Sequence, residues 1–299
     1  MIGLKKQGKF TMLSKEYNDN EEMFLNAIAD DWGFVDFKCK QVFTYRFLSD
    51  NDDLGNSALV VRVLKDILSS REDENEQIED AQRSLKYHLN KIFSKMEVQG
   101  CDFQDVGKDK FLIAKSWLRG TVYLQWFKQQ LWDELKTKTT AKNKMGVVLA
   151  GNVGHLGMRH KTPNLYLDTV PINSDIWLKI NLEQPGHLIL LEREPSGVMC
   201  CICPSEYAPQ FQVKPGETTL PQYPPSPYPV FTATEEGQEQ MLAVITPDKP
   251  SLHWLEKSQQ EALELDHQHL YELLTYVEGR SDSQVFYTEY QVVDVLKTV

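Results

Sequence analysis

Apolar residues in the first half of the chain recur at intervals of three and four, a spacing that places them on one face of a helix. This pattern predicts helices over residues 21–29, 58–68, 77–96 and about 110–136. The third has the clearest apolar face, formed by Leu85, Leu89, Ile92, Phe93 and Met96. Gly120 lies within the fourth, and because glycine costs about 1 kcal/mol in a helix interior, we expect it to break or bend that helix.

The second half contains short apolar segments bounded by Gly, Pro and Asn, which is typical of antiparallel strands. Strands are predicted at 146–151, 172–180, 184–191, 198–203, 214–221, 229–231 and 241–246, followed by a helix at 255–278 and a strand at 284–293. The expected fold class is α+β. A helical N-terminal domain (1–140) precedes an antiparallel β-sandwich-like or barrel-like domain (145–299) with a C-terminal helix and strand, and the polar segment 136–144 is the expected linker.

Composition narrows the class of protein. The 299 residues suffice for two domains, and a hydrophobic fraction of 41% with no long apolar run indicates a globular chain outside the membrane. The segment 1–9 lacks the apolar core of a secretory signal, and Met12 is an alternative start. Five cysteines, an odd number, favour free thiols and a reducing compartment, so we expect a cytoplasmic protein.

The formal net charge of −11 argues against general affinity for nucleic acid, but the charge is unevenly distributed. Residues 83–144 contain 13 basic and 6 acidic residues, with tyrosine and tryptophan between them. One hypothesis is a helix-turn-helix or winged arrangement that contacts DNA phosphates. The alternative is that the charges are solvated helix faces or complement the preceding acidic segment. The candidate residues are Arg83, Lys86, Lys91, Lys110, Lys115, Arg119 and Lys128.

The proline-rich segment 221–229 also has two interpretations. It favours a polyproline II conformation, which aromatic grooves of partner proteins bind. Alternatively, it is an extended connection that lies across the β domain, and we prefer this structural interpretation. Tyr223, Tyr228 and Phe231 are the candidate partner-binding residues.

The remaining motifs do not predict a catalytic or metal site. The glycines of 151–157 follow a predicted strand but lack the Gly-Lys-Ser/Thr ending of a phosphate loop, so we interpret them as a loop leading into the β domain. Strand alternation places Cys201 and Cys203 on one face and Cys200 on the other, which favours small buried residues over metal ligands. His267 and His269 do not share a helix face. We predict no cofactor, no metal and no catalytic residue.

The β-rich stretch resembles a bacterial accessory domain of unknown function that elsewhere follows caspase-like peptidases or protein kinases. Five segments carry the resemblance, at 175–180, 185–191, 195–205, 211–221 and 236–246, so it covers about residues 165–250. Ser205 departs from the family's usual Asn, and the insertion before Pro229 is longer. The resemblance implies a sensing or binding accessory without catalytic residues, and neither a caspase-like His and Cys pair nor kinase motifs are found in the sequence.

These observations predict a non-enzymatic, bacterial, cytoplasmic adaptor or regulator that binds a protein partner through its helical half and a ligand or partner through its β domain. The alternative is a transcriptional regulator that binds DNA through the basic helices at 76–145. A hydrolase is a third hypothesis that no motif supports. The sequence does not predict the oligomeric state.

Overall fold

The structure is a computed structural model that describes residues 3–69, 73–104, 107, 109–151 and 166–294, with side chains from Tyr17 onwards. It divides into two compact units, Met1–Trp126 and Phe127–Val299. The division falls within a helix, and the domain boundary expected at 140–145 stays a prediction. None of the described helices is long and apolar enough to span a bilayer.

The described part of the first unit is helical. Its helices are α1 (Gly3–Asp31), α2 (Phe37–Phe47), α3 (Asn56–Leu59), α4 (Lys65–Leu68), α5 (Glu74–Val98), α6 (Lys110–Trp117) and the start of α7 (Tyr123–Thr137), with a 3-10 turn at Ser49–Asn51. Two π-helical turns, Val60–Leu64 and Leu118–Val122, join α3 to α4 and α6 to α7.

Three of the four predicted helices occur close to their expected positions, and the first is longer. The helix predicted at 21–29 is part of α1, which spans 29 residues. Gly120 neither ends nor interrupts the helical path from Lys110 to Thr137, because the wider π-helical turn absorbs it. The expected break at Gly120 is therefore replaced by a local change of helix type.

Aromatic side chains form much of the core of the first unit. Phe24 is fully buried and its ring packs edge-on against Tyr123, with 5.2 Å between centroids. Trp32 stacks on Trp117 at 5.7 Å and also contacts Phe43. These contacts join α1, α2, α6 and the start of α7 around one apolar centre, which explains why helices of modest individual propensity are held in place.

Two sheets form the centre of the second unit. The described strands are β1 (Met145–Leu149), β2 (Thr169–Pro171), β3 (Asp175–Leu182), β4 (Gly186–Arg193), β5 (Met199–Cys203), β6 (Gln212–Val213), β7 (Gly216–Leu220), β8 (Phe231–Thr232), β9 (Gly237–Thr246), β10 (Leu263–Glu264) and β11 (Gln284–Val293). One sheet has the order β1-β3-β7 with β8 paired to β3, and the other has the order β10-β5-β4-β9-β11-β2 with β6 paired to β4.

The two sheets pack face to face, so the sandwich-like alternative is confirmed and the described strands do not close into a barrel. Alternate residues of each strand point into the core, as Ile176, Leu178 and Ile180 do on β3. All pairings are antiparallel among these strands except that of β11 with β2. The predicted strands are confirmed with end shifts of a few residues, and the last, 284–293, matches β11.

The predicted orientation of the cysteines is wrong because β5 contains a β-bulge. The register between β4 and β5 shifts between Leu190 and Leu191, so Cys203 lies opposite Leu190 and Cys201 opposite Leu191. Cys203 consequently joins the core between the sheets, whereas Cys201 does not. The extra residue of a bulge reverses the alternation beyond it, which simple alternation from sequence cannot anticipate.

The prediction of one continuous helix over 255–278 is wrong in the middle of that range. The chain forms a short helix α8 (Leu255–Ser258), then β10, then α9 (His267–Glu278). Leu263, which fits the helical spacing, instead pairs with Cys201 on β5. Asp266 starts α9 by accepting hydrogen bonds from the backbone of Gln268 and His269, and the Asp266 backbone N–H donates to the His269 ring in return.

Candidate functional site

A cleft of about 440 Å³ opens at one end of the sandwich, between its two sheets. Its lining includes four glutamates, Glu192, Glu194, Glu235 and Glu239, and contains no Lys, Arg or His among the described residues. We call it the acidic cleft. Its other wall contains Ile176 of β3 and the β8 segment, together with Tyr207 and Tyr228.

Strand alternation places the central carboxyl of the cleft. On β4, Leu188 and Leu190 point into the core between the sheets, and Glu192 is the next residue on that face. Its cross-strand neighbours are Cys200 on β5 and Met241 on β9. An ionisable residue therefore occupies the position at which the apolar core of the sandwich ends.

The Glu192 carboxyl lies in an unusual electrostatic environment. Burial raises the pKa of Glu192 to about 8, with further contributions from the negative charges of Glu239 and Glu194. None of the described residues forms a hydrogen bond or ion pair with this carboxyl. At neutral pH the group is mostly protonated, and a positive charge placed beside it would favour its ionised form.

Glu239 differs from Glu192 in having a partner. The Tyr290 hydroxyl donates a hydrogen bond to Glu239, and both residues are buried. Burial raises the pKa of Glu239, and the bond from Tyr290 opposes that rise. The cleft thus contains one carboxyl that is stabilised internally and one that is not.

Aromatic rings form the opposite wall of the cleft. Tyr207 packs on Tyr228 with 4.7 Å between ring centroids and an angle of 30°, and on Phe231 at 5.5 Å. Two of the three predicted partner-binding residues, Tyr228 and Phe231, therefore line the acidic cleft. The third, Tyr223, is 63% exposed and is not among the lining residues.

The proline-rich segment forms turns and bends at 221–229 rather than an extended polyproline II helix or strand. The Ser226 amide donates to the Gln222 carbonyl at 2.7 Å, and Gln222 exchanges two side-chain hydrogen bonds with the backbone of Gln210. These bonds fold the segment onto its own unit, so the expected extended conformation is corrected.

The structure separates the candidate DNA-binding residues. Lys115 forms an ion pair with Asp52, and Arg119 forms ion pairs with Asp52 at 3.0 Å and Glu21 at 3.1 Å. The Glu21 side chain is only 5% exposed, so Arg119 neutralises a buried charge. This pairing agrees with the alternative that some basic residues complement the acidic segment.

The other candidates lie at different places. Arg83, Lys86 and Lys91 are exposed on α5, where the Lys91 ammonium lies 4.4 Å from the Tyr87 ring centre. Lys110 begins α6, with its ammonium 3.9 Å from the Glu97 carboxylate. Lys128 belongs to the second unit, where burial lowers its pKa. Among the candidates, only Arg83, Lys86 and Lys91 are exposed on one helix, and Lys91 lies about 140° around its axis from Lys86.

Among the described residues, the thiols and histidines do not form a reactive centre. Burial raises the pKa of all five cysteines, including Cys200 in the cleft to about 11, so the thiols are protonated at neutral pH. The described residues contain no group of His, Cys, Asp and Glu able to hold a metal. The glycine-bearing loop at 151–157 lies outside the described residues beyond Gly151.

Sequence reasoning missed the acidic residues of the cleft. One signal was present, because Glu192 follows Leu188 and Leu190 on the inward face of a predicted strand and interrupts an apolar alternation. Glu239 and Tyr290 are 51 residues apart and become neighbours only through the pairing of β9 with β11. Chemically, the cleft can donate a hydrogen bond from neutral Glu192 or hold a positive charge beside its ionised form.

No curated protein and no solved structure is similar to this chain at a significant level. The family comparison concerns the segment that runs from β2 to just beyond β9, which contains all four glutamates of the cleft but not Tyr290. The prediction that this segment is a domain of unknown function is confirmed. Residues 169–249 match the family model described as "Domain of unknown function (DUF4384)".

Proposed function

We propose that this chain is a non-enzymatic adaptor or regulatory protein, bacterial and cytoplasmic, whose β unit binds a segment of a partner protein in the acidic cleft. The observation that supports this proposal is the combination, in one cleft, of a carboxyl without an internal partner and a wall of aromatic rings. Concave sites in which aromatic side chains and a few polar groups converge are typical of binding sites. The helical half is proposed to engage a further partner.

A binding role accounts for the cleft better than hydrolysis does. A nucleophilic mechanism needs a nucleophile within reach of a base. Cys200 is protonated, and no histidine is among the described lining residues. Glu239 is already engaged by Tyr290.

Site-specific photocrosslinking of the full chain in its native cell tests the proposal. A photoreactive residue replaces exposed Thr234 in the cleft lining, and a control replaces exposed Lys214 outside it. We expect one protein to crosslink at 234 but not at 214, and the purified partner to bind the chain directly. Identical products at both positions would contradict the proposal.

The second candidate function is a DNA-binding regulator, and the exposed neighbours Arg83 and Lys86 on α5 favour it. In a plot of log K against log salt concentration, each phosphate contact contributes about 0.9 to the magnitude of the slope, so removing a contact lowers that magnitude. For the full chain with Arg83→Gln and Lys86→Gln, we therefore expect a slope that is lower by about 2. The double variant Lys214→Gln and Lys249→Gln is the control, and no retention of duplex DNA by the unaltered chain at low salt would exclude this function.

A further inference from the structure

The acidic cleft has a strong bias of charge. Four glutamates contribute to its lining, and no Lys, Arg or His is among its described lining residues. Surface carboxylates are usually hydrated or paired, but Glu192 is partly buried and has no hydrogen bond within the described chain. A partly buried carboxyl without a protein partner has lost part of its hydration, and a ligand can donate a hydrogen bond in its place.

The aromatic wall is a second, independent reason to expect a positively charged ligand. The faces of tyrosine and phenylalanine rings attract cations, above all in sites from which water is excluded. Tyr207, Tyr228 and Phe231 pack on one another in the same lining as Glu192. Carboxyl and aromatic walls therefore favour the same class of ligand.

We infer that the acidic cleft binds an organic cation with N–H donors, namely the ammonium or guanidinium group of a partner's side chain or of a free polyamine. The inference rests on the proposed function of the cleft as a recognition site. An organic cation matches both walls, because its N–H groups can donate to Glu192 and its charge can lie against the rings. A metal ion fits less well, since the aromatic wall offers it no ligand.

Proton release gives this inference a specific signature. The titratable groups that line the cleft with Glu192 are Cys200, Glu239 and Tyr290 on the neighbouring strands and Glu194, Glu235, Tyr207 and Tyr228 beside them, and none of them supplies a positive charge. Outside this lining, the Lys128 ammonium opposes the rise in the pKa of Cys200. A bound cation would favour ionised Glu192, so binding at pH 7 should release a proton. Affinity should therefore increase as the pH rises from 6 to 8 and then level off.

Titration calorimetry of the full chain tests the inference with four probes: a lysine peptide, an arginine peptide, spermidine, and the same lysine peptide with its side chain acetylated. We expect at least one cation to bind, the acetylated peptide not to bind, and the heat to vary with the buffer because a proton is released. Glu192→Gln should weaken binding at least tenfold, whereas Glu256→Gln, exposed on α8 outside the cleft, should not.

A second variant keeps the inference testable even if Glu192→Gln does not fold. Thr234→Lys adds a cation on an exposed loop of the cleft lining, and we expect it to compete with the probes while the protein remains folded. Equal binding of acetylated and unmodified peptide, or no binding of any cation at low salt, would overturn the inference.

The proposed adaptor function and the cation inference can fail independently of each other. A protein that crosslinks at position 234 but binds unchanged to Glu192→Gln and Thr234→Lys would support the adaptor function and overturn the cation inference. Specific binding of spermidine without either peptide and without a crosslinked protein would support the cation site and overturn the adaptor function.

Discussion

The Tyr290 hydroxyl donates a hydrogen bond to the Glu239 carboxylate, directly across the antiparallel pair of β11 and β9. Replacing Tyr290 with Phe would leave a buried acceptor without its donor, at a cost of about 1–3 kcal/mol. We expect the free energy of unfolding to fall by that amount and the pKa of Glu239 to rise further. Denaturant titration and NMR titration of the carboxyl would measure the two effects.

Tyr287→Phe is the matched control. Tyr287 also donates to a carboxylate, that of Glu289, but Glu289 is exposed and can bond to water instead. We expect a loss of at most about 1 kcal/mol. Equal losses for the two variants would show that burial of the Glu239 acceptor is not the cause.

The raised pKa of Glu192 predicts that its contribution to the free energy of unfolding decreases as the pH rises. Between its ordinary value of 4.5 and about 8, the folded chain retains a proton that the unfolded chain releases, so rising pH favours unfolding. This contribution is complete below 4.5 and is lost by about 8, with a slope of at most about 1.4 kcal/mol per pH unit. Glu192→Gln should reduce the slope in denaturant titrations from pH 5 to 8. An unchanged slope would contradict the assignment.

Arg119 is predicted to stabilise the helical unit. Its removal leaves Glu21 buried without its cation, and breaking such a pair costs about 3–5 kcal/mol. We expect Arg119→Met to lower the free energy of unfolding by an amount in this range and the added change Glu21→Gln to recover part of it. Arg83→Met is the control, since the Arg83 side chain is 76% exposed and should contribute less than about 1 kcal/mol.

Gly237 is predicted to be irreplaceable at the start of β9. Its φ of +136° disfavours other residues, and an added Cβ would lie 2.6 Å from the Cβ of Pro195. We expect Gly237→Ala to cost at least about 2 kcal/mol in thermal unfolding. Gly197 also has a positive φ, +86°, but has open space around it, so Gly197→Ala should show only the backbone cost of about 1–2 kcal/mol. A smaller loss at 237 than at 197 would contradict the close packing.

Local patterns were sufficient for most elements. The apolar spacing of 77–96 and the alternation of 284–293 predict α5 and β11, because each element buries one face whose residues are close in sequence. Leu263 shows where such patterns fail. Its spacing fits a helix, but pairing with β5 gives its backbone other hydrogen-bond partners, and propensity yields to tertiary context.

The sequence by itself determined the α+β class, the helical half followed by a β-rich half, and a β-rich segment that resembles a domain of unknown function, since these depend on local periodicity and turn residues. Only the tertiary structure decided the acidic cleft and the pairing of Arg119 with Glu21. Arg119 and Glu21 are 98 residues apart in the sequence, and the hydrogen-bonded Tyr290 and Glu239 are 51 residues apart. Periodicity shows which face of an element is buried, whereas the identity of its partners depends on strand pairing and helix packing over the whole chain.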